Sequence, residues 1–78
     1  MIQDSPRPGT IRFADGFRTL DCTVLRSSAS GAQVKLPNVT SIPRRFELHD
    51  GAWRRAATVV WRSTGVLGVR FDGYFRHR

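Results

Sequence analysis

Apolar residues recur at every second position in short blocks, and turn residues separate the blocks. This is the spacing of a strand with one face buried. Thr10-Ile11-Arg12-Phe13 is predicted as a first strand and Asp15-Gly16 as the hairpin turn after it, since glycine accepts the positive φ such turns need. In the second strand Leu20, Cys22 and Val24 alternate with Asp21, Thr23 and Leu25, which predicts the first three as inner. The cluster Ser27-Ser28-Ala29-Ser30-Gly31 interrupts the pattern, which resumes with Ala32, Val34 and Leu36 as a third inner set. Residues 37–43, bracketed by Pro37 and Pro43, are predicted as a connecting loop.

Arg44 to Leu48 is a predicted fourth strand with Phe46 and Leu48 inward, closed by the turn His49-Asp50-Gly51. In the long fifth strand the register Ala57, Val59, Trp61 is predicted as inner, and Ser63-Thr64-Gly65 leads to a sixth strand with Leu67, Val69 and Phe71 inward. Six strands in one small domain leave two open edges unless the sheet closes, so the pattern predicts an all-β barrel. Val24, Val34, Val59 and Val69 are expected to share its interior. Residues 1–8, with Pro6 and Pro8, are predicted as a short extended arm, 9–73 as the barrel and 74–78 as a tail.

Seventy-eight residues allow one core. No stretch approaches the roughly 20 apolar residues of a membrane span, and the first residues do not read as a signal peptide, so a cytoplasmic domain without membrane insertion is expected. Cys22, the single cysteine, alternates with strand residues and is predicted as a small buried hydrophobe. Asp15, Asp50 and Asp72 precede glycines and read as turn residues. That leaves Asp4, Asp21 and Glu47 with no carboxylate pair, while His49 and His77 lie far apart in the chain. Neither catalytic chemistry nor a metal or cofactor site is expected.

Thirteen Lys and Arg face six Asp and Glu, for a net +7 and a pI near 11.5, and twelve of the thirteen are arginine. Anionic partners fit such a surface. Arg44, Arg45, Arg54 and Arg55 are read as solvated outer-face charges, and Trp53 and Trp61 as core or rim packing.

The run from Asp21 to Ala32 resembles the PilZ family. Ile42-Pro43-Arg44-Arg45-Phe46-Glu47-Leu48 resembles its "proline, then Phe-x-Leu" strand, and Val59-Val60-Trp61-Arg62 and Gly68-Val69-Arg70-Phe71 resemble its last two. The resemblance covers residues 9 to 72. It implies a small six-stranded antiparallel PilZ-like β-barrel, a non-catalytic second-messenger receptor for cyclic di-GMP that passes the signal to a protein partner.

The family binds this nucleotide through an Arg-x-x-x-Arg segment before the first strand and an Asp/Asn-x-Ser-x-x-Gly segment between the second and third. Guanidinium forks suit phosphate and guanine acceptors, and a short acidic or amide side chain suits guanine donors. By resemblance the nucleotide-binding candidates are Arg7, Arg12, Arg26, Ser28 and Gly31. Ser28 and Gly31 match the second motif, with Arg26 standing where Asp or Asn is usual. Arg7 and Arg12 are the arginines nearest the first motif, one position too far apart to match it. Two other readings stand beside this one. One is an adaptor acting through protein contacts alone, with Ser28 and Gly31 forming a tight strand connection. The other, ranked last, is a basic barrel for nucleic acid, because the arginines are scattered without a binding stripe.

Overall fold

The computed structural model describes residues 6–14, 17–51 and 53–72. Six strands follow in order: β1 (Arg7–Phe13), β2 (Arg18–Ser27), β3 (Gly31–Lys35), β4 (Arg45–His49), β5 (Arg54–Ser63) and β6 (Val66–Phe71). Each strand pairs antiparallel with its neighbours in the closed order β1-β2-β3-β6-β5-β4, so the sheet has no free edge strand. The chain is an all-β, six-stranded antiparallel barrel. No helix among the described residues is long and apolar enough to cross a membrane.

Alternation decides the core where the strands are regular. Ile11, Cys22, Val24, Ala32, Val34, Leu36, Phe46, Leu48, Ala57, Leu67, Val69 and Phe71 fill the interior, and Val59 packs against them. Leu48 and Leu67 are fully enclosed, and each such side chain contributes about 2 kcal/mol of burial.

Three expectations need correction. First, β1 begins at Arg7, so Arg7 and Pro8 belong to the barrel and not to an arm. β4 pairs with β1 only at Thr10, Ile11 and Arg12, which leaves Pro8 with a strand on one side alone, as its missing N–H requires. Second, Leu20 is 38% exposed. β3 is short and pairs with β2 only from Thr23 onward, so it does not flank the Leu20 end of β2. Third, Trp61 is on the outer face. A bulge separates the pairs Val59↔Val69 and Trp61↔Gly68, and the extra residue, Val60, reverses the alternation. The connecting loop over 37–43 holds a 3₁₀ turn (Val39–Ser41) and buries Val39 and Ile42 in the core. Arg62 tethers this loop by donating to the Val39 carbonyl.

The turns carry the glycines as read: Gly51 and Gly65 have φ of +94° and +76°. The Asp15-Gly16 turn, the first five residues of the predicted arm and the tail at 74–78 lie outside the described residues.

Candidate functional site

Two bulges shape one outer groove. The β2 bulge, between Val24 and Arg26, turns Arg26 outward opposite Gln33 and Ser27 inward opposite Ala32. The β5 bulge does the same for Trp61. Gln33 pairs with Gly68, and Gly68 with Trp61. The residues Arg26, Gln33, Gly68 and Trp61 therefore form one outward row across β2, β3, β6 and β5.

Gly68 allows the indole to lie flat on the sheet, since a Cβ there would sit 2.1 Å from Trp61 Cε2. The result is a groove of about 210 Å³ with Arg26, Gln33, Gly68 and Trp61 along it and Ser28 and Gly31 at one end. Trp61 keeps 44% of its surface exposed and offers a ring to a planar group.

The β2–β3 connection is tight. The Ser28 N–H donates to the Gly31 carbonyl at 2.8 Å, and the Phe71 N–H donates to the Ser30 carbonyl at 2.9 Å. Ser28 Oγ lies 3.3 Å from both the Ser30 N–H and the Ser30 hydroxyl. Gly31 has a backbone task, because a Cβ at this position would fall 2.3 Å from the Val69 carbonyl oxygen. Ser28 and Gly31 thus build the connection that was one of the two readings, and they do so at the rim of the groove.

Arg7 and Arg12 lie elsewhere. Arg7 is opposite Val24 at a barrel end. Its Nε donates to Asp50 Oδ2 at 2.7 Å and its Nη2 to the Ser27 hydroxyl at 2.7 Å. Asp50, expected only as a turn residue, is turned inward with its side chain 3% exposed. Arg55 joins the same end, against the expectation of a solvated charge. Its guanidinium lies 4.9 Å from the Phe71 ring centre and 5.5 Å from that of Trp53, and Nη1 donates to the Ala29 carbonyl. Trp53 meets Phe71 edge-on at 5.4 Å. Arg12 is on the β1–β4 face, between Thr19 and Glu47.

Of the five candidates, then, Arg26, Ser28 and Gly31 share one groove. Arg7 reaches the adjacent Ser27 from behind, and Arg12 is on another face. Sequence reasoning missed Gln33, Gly68 and the outward Trp61. A signal existed: counting back from the Thr64-Gly65 turn sets Ser63 against Val66 and hence Trp61 against Gly68.

Cys22 is buried, and burial, helped by the Asp21 charge, pushes its thiol from 9.0 up to about 11. The native protein is therefore expected to resist Ellman's reagent at pH 8 and to react fully in denaturant. Rapid labelling without denaturant would contradict this burial. Because the folded value is the higher one, the unfolded thiol ionises first, so this group costs stability only as pH rises from about 9 toward 11.

No protein-family model matches this chain, and no curated protein is found as a relative of it.

Proposed function

We propose that this barrel is a non-catalytic, PilZ-type cytoplasmic signalling domain whose outer groove receives cyclic di-GMP. The observation that supports the reading is the row Arg26, Gln33, Gly68 and Trp61 ending at Ser28 and Gly31. A guanine stacks on the Trp61 ring, Gln33 supplies both donor and acceptor to its edge, and the Arg26 fork takes a guanine acceptor pair or a phosphodiester oxygen.

Size limits what the groove encloses. At about 210 Å³ it is smaller than the roughly 300 Å³ at which sites begin to envelop a whole ligand. It holds one base and leaves the phosphates and the second base outside. In this reading Arg7 positions the motif turn through Ser27 and does not grip phosphate.

Titration calorimetry with cyclic di-GMP at physiological salt, paired with tryptophan fluorescence, tests the reading. Saturable heat and quenching are expected, with the quench lost in Trp61→Phe and affinity lowered at least about tenfold in Arg26→Ala, the size of one charge-assisted hydrogen bond. Arg26→Asp separates two forms of the idea. Weaker binding agrees with Arg26 as a ligand contact, whereas tighter binding would mean that the groove wants the family's acidic residue and that Arg26 obstructs it. Neither heat nor quench in the wild-type protein would remove the nucleotide from its function.

A further inference from the structure

On the face built by β1, β4 and β5, two outward rows run side by side. One carries Thr19, Arg12, Glu47 and Ala56, and the next carries Asp21, Thr10, His49 and Arg54. Arg12 lies low against the sheet. Its Nε is buried and has no hydrogen-bond partner among the described residues. A buried cationic donor without an acceptor bears its full desolvation cost, and native folds rarely leave one so unless a ligand or water meets it.

Among the described residues, the nearby carboxylates have hydrogen-bond partners other than the Arg12 Nε–H. Glu47 Oε1 accepts from the His49 ring at 2.8 Å, and that bond, aided by the Arg54 and Arg12 charges, holds its carboxyl below the usual range. Asp72 accepts the Thr58 hydroxyl at 2.6 and 2.7 Å and faces Arg45 and Arg70 at 3.8 and 3.6 Å. Beside Arg12 an open groove of about 790 Å³ is lined by Arg45 and Arg54 together with the apolar residues Phe13, Pro43 and Phe46.

We propose that this groove docks an acidic segment of a protein partner, with one carboxylate accepting the Arg12 Nε–H and an adjacent apolar side chain resting on Phe13 and Pro43. Two features select this occupant over a polyphosphate chain. Glu47 and Asp72 line the same groove as the arginines, so a continuous run of phosphates would meet repulsion along it, while a single carboxylate between apolar neighbours meets less. The apolar wall adds surface that a phosphate backbone does not use and an aliphatic residue does. The net charge of +7 steers such a partner to the domain.

Arginine Nε–H resonances of the full chain report the site directly. The probe is a short acetylated peptide with one aspartate between leucines, compared with its lysine-for-aspartate counterpart and with inorganic phosphate. The aspartate peptide is expected to shift the Arg12 Nε–H saturably, with affinity falling about fivefold in Arg54→Glu and falling further with added salt. Arg54 is exposed and makes no ion pair among the described residues, so this variant retains the fold, which its amide spectrum verifies. Arg12→Gln should abolish the shift of neighbouring amides. An unmoved Arg12 signal, an equal response to the lysine peptide, or a response to phosphate as strong as to the peptide would each overturn the proposal.

Discussion

Gly31→Ala is expected to lower the free energy of unfolding by about 3 kcal/mol, the upper part of the range for forcing extra volume into a packed site. The added Cβ would lie 2.3 Å from the Val69 carbonyl oxygen, and that oxygen is backbone in a central strand with no rotamer to change. Relief would require β3 and β6 to part, which puts at risk the Phe71 to Ser30 hydrogen bond and the pairing of Gly31 with Arg70. For a chain of 78 residues the whole stability is about 4–12 kcal/mol, so this single methyl removes a large share. Urea unfolding followed by circular dichroism measures it, with an unchanged slope expected. A loss below about 1 kcal/mol would show that the ladder yields easily, leaving close approach of a ligand as the reason for glycine.

Arg7→Met should cost a similar amount, about 3 kcal/mol, because it removes a cation from a carboxylate that is almost wholly buried. The double variant Arg7→Met with Asp50→Leu is expected to recover to within about 1 kcal/mol of the wild type, since a buried ion pair replaced by packed apolar groups is often neutral. The same double variant separates Arg7's two roles. If Arg7 acts only by tethering Ser27 behind the groove, the refolded double variant, which lacks that tether, binds nucleotide more weakly but still saturably. A well-folded double variant that no longer binds would return Arg7 to the ligand contacts.

The end of the barrel where this pair sits also ties three distant segments together. Arg7 starts β1, Ser27 ends β2, and Asp50 follows β4. Arg55 adds the Ala29 carbonyl and the Trp53 and Phe71 rings. The β2–β3 connection, one end of the nucleotide groove, is therefore anchored by side chains that do not face that groove. Substitutions there are expected to act on the groove through its rim.

Much of the barrel was legible from alternation. Val24, Val34, Leu36, Phe46, Leu48, Leu67, Val69 and Phe71 were read as inward and are buried. Side-chain alternation is a local property of extended backbone, so two or three residues of context suffice to read it. The turn glycines Gly51 and Gly65 were legible for the same reason: positive φ is required by the turn itself. Gly31 was not, because it is fixed by Val69 in another strand, whereas Gly68 could be set opposite Trp61 only by counting the hairpin register back from its turn.

The candidate site divides along the same line. That Arg26, Ser28 and Gly31 cluster around one strand connection follows from chain length alone, because six residues cannot carry them far apart. Which way they face and what stands across from them depend on how the strands pair. One extra residue in β2 and one in β5 each shift a register, and a shift of one residue moves a side chain to the opposite face. That is how Trp61 left the core to lie on Gly68. Arg7 and Asp50, 43 positions apart, meet only because the strands that carry them are brought to one end of a closed sheet. Alternation is set by covalent geometry and travels with the sequence, whereas bulges and end contacts are set by how whole strands pair.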